Sequence, residues 1–334
     1  MTESSAKLDP AKLKMAREFK HTRPLTACFW EPHSRFIFFG AEDNLVHRFD
    51  LASGMVVPLA RHDSWVRGIA ASPNGETLYT GGYDGRLIAW PLAAETPTPL
   101  RVVDAHTGWI RALAVSVCGK YVATCGNDRL VKLWDAADGT LLQTYAGHPW
   151  PVYNVVFLPD SSRLISCDLK GVVRVWKIGS EESRELATVK QLHEYDTTFR
   201  ADIGGARGIA IRPDGQVVAL GGITNVTNAF AGVGEIAIAL VQTETGSIER
   251  VLESQDKTKG TIWGVAYHPD RYWIGVSGGG GGGWVHFWNE DSNQEFDKFK
   301  LPNDGRGMSL APNHRQLAVA HADMFLRIYE SASS

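Results

Sequence analysis

The chain has 334 residues, a formal net charge of −3 and 44% hydrophobic residues. This balance gives no reason to expect general attraction to nucleic acid or to a membrane surface, and no apolar run is long enough to span a bilayer. The first 20 residues lack the apolar stretch of a secretion signal. The four cysteines, Cys28, Cys118, Cys125 and Cys167, form no metal-binding spacing. We therefore expect a cytoplasmic protein with buried free thiols and without a metal or cofactor.

A repeated histidine organises the first half of the chain. His21, His62, His106 and His148 follow one another at intervals of 41, 44 and 42 residues. Three of these histidines are followed after 22 residues by an aspartate, and each aspartate is followed after six residues by an aromatic. The aspartates are Asp43, Asp84 and Asp128, and the aromatics are Phe49, Trp90 and Trp134. A period of about 40 to 45 residues is typical of a β-propeller blade.

Seven turn sequences divide the whole chain into units. Most contain proline followed by Asn, Asp or Gly, and each follows an apolar, alternating segment. They lie at residues 31–33, 72–75, 117–119, 158–160, 212–215, 268–270 and 311–313. Proline fixes φ and glycine permits positive φ, so each sequence suits a hairpin turn. The pattern predicts an all-β fold, a seven-bladed β-propeller of four-stranded antiparallel blades.

The two ends of the chain are predicted to close the ring. The third strand of the last unit, residues 325–329, is followed by only a short tail. Residues 13–20 stand before His21, where a fourth strand stands in other units. We expect this N-terminal strand to pair with the last blade, because closure removes open sheet edges. The predicted boundaries are a flexible tail at 1–12, one propeller at 13–330 and a short tail at 331–334.

The third unit, with His106, Thr124, Asp128 and Trp134, resembles the WD-repeat family of seven-bladed propellers. The second unit is similar, and its matching residues are His62, Thr80, Asp84 and Trp90. The resemblance implies a buried chain in which aspartate holds histidine, histidine reaches the hydroxyl, and the hydroxyl reaches the indole. In the fourth unit Lys170 occupies the predicted aspartate position. Because the set repeats in successive units, we interpret it as framework and not as a catalytic triad.

Three segments depart from the repeat, and such departures are where function is expected. They are residues 193–200 between the fourth and fifth units, residues 223–234, and the six glycines at 278–283. The family topology implies that all three emerge on one face of the ring. Long loops on a rigid scaffold commonly carry recognition. Tyr195, Phe199 and Phe230 are the candidate contact residues of these insertions.

A second recurring position lies five residues after each histidine or its equivalent. Its members are Thr26, Arg67, Arg111, Tyr153, Arg207, Trp263 and Arg306. The resemblance implies that this position lies on the innermost strand near one opening of the channel, with Trp65, Trp109 and Trp150 nearby. Arginine binds carboxylates through a planar fork, and aromatic side chains are rigid anchors. The alternative is that these arginines belong to the repeat pattern and bind nothing.

We therefore predict a non-catalytic scaffold that binds an acidic protein or peptide segment over the channel mouth, as a monomeric ring or as a subunit of a complex. Two alternatives remain open at this stage. One is an enzyme with its site in the channel, for which His193, Asp196 and Asp202 are the candidate residues. The other is a purely structural subunit that uses the side or the opposite face of the ring. No basic segment beyond the arginine column favours a nucleic-acid partner.

Overall fold

The computed structural model describes residues 8–228, 233–280 and 282–332 and confirms the predicted propeller. A 3-10 helix (Pro10–Lys12) precedes strand β1 (Leu13–Lys20). Blade one consists of β2 (Leu25–Trp30), β3 (Phe36–Ala41), β4 (Val46–Asp50) and β5 (Val56–Leu59). Blade two consists of β6 (Val66–Ala71), β7 (Thr77–Gly82), β8 (Arg86–Pro91) and β9 (Arg101–Asp104). Blade three consists of β10 (Ile110–Val115), β11 (Tyr121–Gly126), β12 (Val131–Asp135) and β13 (Leu141–Tyr145). Each blade is an antiparallel sheet whose strands pair in chain order.

The remaining blades follow the same order. Blade four consists of β14 (Val152–Phe157), β15 (Arg163–Asp168), β16 (Val172–Lys177) and β17 (Ser183–Thr188). A 3-10 helix (Lys190–Leu192) and a separate hairpin, β18 (His193–Asp196) and β19 (Ala201–Gly204), come next. Blade five consists of β20 (Gly208–Ile211), β21 (Val217–Asn228), β22 (Val233–Gln242) and β23 (Ile248–Glu253). Blade six consists of β24 (Thr261–His268), β25 (Tyr272–Gly278), β26 (Trp284–Asn289) and β27 (Asp297–Lys300). Blade seven contains β28 (Gly305–Leu310), β29 (Gln316–His321) and β30 (Phe325–Ser331).

The N-terminal strand completes blade seven, as predicted. β1 pairs antiparallel with β30, from Leu13 opposite Ser331 to Lys20 opposite Phe325. The ring closes by this non-covalent pairing, which leaves β30 with a partner on both sides. The packed chain begins earlier than the predicted boundary at residue 13. Leu8 is 2% exposed in the core between blades six and seven, and its carbonyl accepts a hydrogen bond from the Tyr272 hydroxyl.

The polar framework of blade two joins four side chains in a row. The Asp84 carboxylate accepts from Nδ1 of His62 at 3.0 Å, and Nε2 of His62 lies 2.9 Å from the Thr80 hydroxyl. The indole of Trp90 donates to the same hydroxyl at 2.9 Å. Burial opposes ionisation of Asp84, but the hydrogen bond and charge of His62, together with backbone N–H groups of Asp63 and Arg86, outweigh it and lower the pKa of the carboxyl. Such a satisfied polar chain holds one blade geometry.

Blade three repeats the arrangement, with His106 lying 2.9 Å from Asp128 and 2.7 Å from Thr124, to which Trp134 donates. In blade four the carboxylate comes from Asp168 and not from the position of Lys170, where the sequence pattern placed it. Nδ1 of His148 lies 3.1 Å from Asp168, whose side chain is fully buried.

The reason is the register of β15. Asp168 pairs with Val152, as Gly82 pairs with Val66 in blade two. A Cβ at Gly82 would lie 2.5 Å from both the His62 ring and the Asp84 carboxylate. A side chain that starts from this position therefore reaches the histidine directly.

Three of the four cysteines are buried free thiols, and Cys118 is exposed. Burial raises the pKa of Cys28 to about 12, so its thiol is protonated at neutral pH. The prediction of buried thiols is therefore wrong for Cys118, which lies in the turn after β10. Among the described residues, no helix has the length and apolar character required to cross a membrane.

Candidate functional site

A β-bulge places the recurring arginine and aromatic position at one opening of the channel. In β2, β6, β10, β14, β24 and β28 the pairing with the next strand skips one residue near the strand start. The skipped residues are Thr26, Arg67, Arg111, Tyr153, Trp263 and Arg306. Arg207 directly precedes β20 and belongs to the same position. A bulge leaves its extra residue out of the hydrogen-bond pairing between the strands and changes the direction of its side chain. The same backbone feature therefore orients the side chains of the whole column.

The column forms an alternating series of cations and aromatic rings, which we call the arginine ladder and define as Arg67, Arg111, Tyr153, Arg207 and Trp263. The guanidinium of Arg111 lies 4.5 Å from the centre of the Tyr153 ring, and that of Arg207 lies 4.5 Å from the same ring. Arg207 also lies 5.3 Å from the Trp263 ring, and Arg67 lies 4.6 Å from it across the channel. These separations are within cation–π range. Each guanidinium is therefore held on a ring face and not on a carboxylate.

The ladder carries positive charge that the described part of the chain does not neutralise. No carboxylate there lies within ion-pair distance of Arg67, Arg111 or Arg207, whereas Arg306 pairs with Glu42 at 2.5 Å. Nε of Arg207 is buried and lacks a hydrogen-bond partner within the described residues. Burial lowers the pKa of Arg67 to about 10, and repulsion from Arg207, Arg306 and Arg111 adds to this effect while Tyr83 opposes it. An anion at the mouth would relieve this repulsion.

The opening leads into a cavity of about 320 Å³ lined by Arg67, Arg111, Arg207, Trp263 and Arg306 among others. Arg67 also donates from Nη2 to the carbonyl of Arg306 at 3.1 Å. This contact fixes the guanidinium at the mouth of the cavity, where its remaining N–H groups are available to a ligand.

A second recurring position supports the column and was missed from sequence. It is the residue immediately before Asp43, Asp84 and Asp128 in the first three blades: Glu42, Tyr83 and Asn127. Glu42 pairs with Arg306, Asn127 accepts from Nε of Arg111 at 2.7 Å, and the Tyr83 ring lies 5.6 Å from the Arg111 guanidinium. Tyr83 also stacks on Trp109 at 4.3 Å with an interplanar angle of 3°. Because this position stands one residue before the aspartate in each of these blades, the sequence spacing could have identified it.

The predicted tryptophans surround the ladder with exposed apolar surface. Trp65 and Trp109 are about two-fifths exposed. Both precede an inner strand in the linkers that lead into blades two and three. Trp109 also contacts the Arg111 guanidinium at 4.6 Å. The aromatic rim is thus continuous with the cationic mouth.

The first insertion is a hairpin anchored to the framework by an ion pair. Asp202 lies 3.0 Å from the ammonium of Lys170 and 2.7 Å from Nε2 of His193. The Lys170 ammonium sits 3.8 Å from the centre of the Trp150 ring. Beyond this anchor, Tyr195 and Phe199 are 48% and 52% exposed. The hairpin therefore presents two aromatic side chains beside Trp150.

Of the three candidate catalytic residues, His193 and Asp202 lie 2.7 Å apart, whereas Asp196 bonds to the turn of the hairpin. The Asp196 carboxylate accepts from the backbone N–H groups of Thr198 and Phe199 and so shapes the hairpin turn. Burial opposes ionisation of Asp202, but its bonds to His193 and Lys170 lower the pKa of the carboxyl. Both carboxylates thus serve the conformation of the hairpin.

The second insertion lies next to this hairpin, and the glycine run lies next to the second insertion. The second lengthens β21 and β22, which pair as far as Asn228 opposite Val233; Phe230 lies outside the described residues. A Cβ at Gly222 would lie 2.8 Å from the carbonyl oxygen of Gly205, so the hairpin linker approaches β21 closely. Gly260 donates to the carbonyl of Gly234 and lies against Gly278, at the start of the glycine run. The linker at Gly260 thus connects the second insertion to the glycine run.

Comparison with known proteins agrees with this geometry. The sequence pattern of the family described as "WD domain, G-beta repeat" matches residues 55–90, 97–135, 139–177 and 246–289. The last stretch includes β26 of blade six.

Several curated proteins are similar to parts of the chain. Target of rapamycin complex subunit wat1 of Schizosaccharomyces pombe is 28% identical over 148 residues, 44% of this chain and 46% of that protein. Nuclear distribution protein nudF of Emericella nidulans is 25% identical over 190 residues, which are 50% of this chain and 42% of that protein. Protein groucho of Drosophila melanogaster is 29% identical over 137 residues, which are 41% of this chain and 18% of that protein. The matched region spans less than half the length of each relative. With four matched repeats and seven closed blades, the chain shares the repeat pattern and the propeller fold of the WD-repeat family.

Proposed function

We propose that this protein is a non-catalytic interaction scaffold that binds an acidic, extended protein segment over the channel mouth. The observation that carries the proposal is the arginine ladder, with three guanidinium groups on aromatic faces and without carboxylate partners in the described structure. Charged groups are rarely left half-buried and unpaired unless a ligand completes them. Carboxylates of a partner would accept from these forks through charge-assisted hydrogen bonds.

The exposed aromatics define how the partner would extend from the mouth. Trp65, Trp109 and Trp150 surround it, and Tyr195 and Phe199 continue the surface over the first hairpin. Aromatic residues are enriched at the energetic centres of interfaces. A segment with acidic residues above the channel and apolar residues toward the hairpin fits this arrangement. One similar protein, wat1, bears the name of a complex subunit, which accords with a role in assembly.

The test is the binding of a short, fluorescein-labelled glutamate-rich peptide to the wild-type protein, followed by fluorescence anisotropy. We expect micromolar binding that weakens as salt concentration rises, because the mouth attracts the peptide electrostatically. The matched control is the same peptide with every glutamate replaced by glutamine, which should bind at least about tenfold more weakly, a loss of about 1.4 kcal/mol. Equal binding of the two peptides would refute recognition of acidic segments.

A further inference from the structure

Blade one departs from the framework of blades two to four in a way that gathers three metal-ligating atoms. Phe39 and Phe49 occupy the positions of the hydroxyl and the indole. His21 therefore has no hydroxyl partner, and it faces Asp43 through Nε2 at 3.0 Å. A second histidine, His47 on β4, faces the same carboxylate oxygen through its own Nε2 at 2.9 Å.

The difference from the other blades is chemical. In blades two to four the histidine uses one ring nitrogen for the aspartate and the other for a hydroxyl, so no ring nitrogen is left for a metal. In blade one two imidazoles aim the same type of nitrogen at one oxygen, and the three atoms lie within 4.8 Å of one another. Two imidazole nitrogens and one carboxylate oxygen form a ligand set that suits zinc and related divalent ions.

The surroundings hold the three ligands in place. The His47 ring stacks on Phe39 at 5.0 Å and 20°, and the His21 ring meets the same phenyl edge-on at 5.5 Å. The other oxygen of Asp43 accepts from the backbone N–H of Leu45. In known metal sites, contacts of this kind orient the side chains that ligate the metal. The side chains of His21 and His47 are 10% and 6% exposed, whereas that of Asp43 is 23% exposed and opens one side.

We propose that His21, Asp43 and His47 bind a single Zn²⁺ ion whose remaining coordination is completed by water. Tetrahedral zinc with bonds of about 2.0–2.1 Å separates its ligands by about 3.3 Å, so each histidine nitrogen has to part from the Asp43 oxygen by only a few tenths of an ångström. Binding through Nε2 requires the single proton of each neutral imidazole at Nδ1, so the proton that now lies between Nε2 and the carboxylate is given up to solvent while Nδ1 takes one up, without net release.

The location of the site gives the ion a structural consequence. His21 directly follows β1, the strand that completes blade seven, and its backbone N–H donates to the carbonyl of Met324. Asp43 and His47 belong to blade one. The ion thus ties the closing strand to the first blade and strengthens the ring at its non-covalent junction.

The test uses the full chain carrying Cys118→Ser, which removes the exposed thiol as a competing ligand. After chelator treatment and removal of the chelator, Zn²⁺ alone is added. Bound metal is counted by elemental analysis, and thermal unfolding is followed by circular dichroism. We expect one equivalent of zinc and a rise of the unfolding midpoint by about 5 °C. Both effects should disappear in His47→Gln and Asp43→Asn and persist in His33→Gln, which alters an exposed histidine.

Co²⁺ serves as a second probe that does not depend on the variants folding. Wild-type protein should develop the visible absorption of cobalt bound to imidazole, and stoichiometric Zn²⁺ should abolish it. Absence of this absorption, absence of retained zinc, or equal retention in the His47→Gln variant would show that the three side chains form hydrogen bonds only, and the proposal would be wrong.

Discussion

Replacing Arg67, Arg111 and Arg207 together by glutamine is expected to weaken binding of the acidic peptide by about 100-fold or more. Each replacement removes a charge-assisted hydrogen-bond donor, and a loss of about 1 kcal/mol at each position gives about 3 kcal/mol in total. Glutamine keeps a polar side chain of intermediate length, so the half-buried positions are not filled with a reversed charge. Arg306 is left unchanged because it already pairs with Glu42.

The matched control makes the same change in net charge on the opposite face. Arg35, Arg271 and Arg315 are exposed and lie in turns that follow the inner strands of their blades. Their triple glutamine variant should bind the peptide like the wild type, within about twofold, since screened charges far from the site contribute little. Anisotropy measures both variants, and circular dichroism verifies that both are folded. Equal weakening in both would mean that general charge, and not the ladder, attracts the peptide.

Deleting residues 1–20 is expected to lower the unfolding midpoint by about 10 to 20 °C or to abolish cooperative folding. The deletion removes β1, exposes one edge of β30 and uncovers the core beneath Leu8 and Leu13. It also removes Phe19, whose ring packs 5.2 Å from that of Phe49. Each fully buried leucine contributes about 2 kcal/mol, and the lost pairing adds to this sum.

Two further measurements separate ring closure from a general effect of truncation. Lys14→Ala alters an exposed side chain of β1 and should leave the midpoint within about 2 °C of the wild type. A synthetic peptide of residues 8–20 added to the truncated protein should restore part of the lost stability, because it can pair with β30 in trans. A truncated protein with an unchanged midpoint would contradict closure by β1.

The fold was predictable because its pattern is repeated and chemically specific. His106, Thr124, Asp128 and Trp134 have fixed spacings that one blade geometry requires, and the seven turns repeat that unit along the chain. Spacing could not predict that Asp168, and not the residue at position 170, supplies the carboxylate of blade four. Two positions of one strand end can reach the same histidine, and only the register of β15 distinguishes them.

The recurrence of the column could be recognised in the sequence, whereas its geometry could not. The spacing of the arginines identified the column, whereas the bulges that orient it arise from pairing between strands and leave no mark in a single strand. The contacts of Tyr83 and Asn127 depend on packing between neighbouring blades. His47 lies outside the repeated positions, so its place beside His21 and Asp43 follows from the fold and not from the spacing, which predicted no metal ligands.

The most direct test of the account is site-specific photo-crosslinking in cells that produce the protein. A photoreactive phenylalanine analogue is placed singly at Trp109 and Tyr195 on the mouth face and at Leu141 on the exposed outer strand of blade three. We expect partner proteins to be captured from the first two positions and lost when the three ladder arginines are replaced by glutamine. Capture from Leu141 alone, or capture that persists in the triple variant, would contradict binding over the channel mouth.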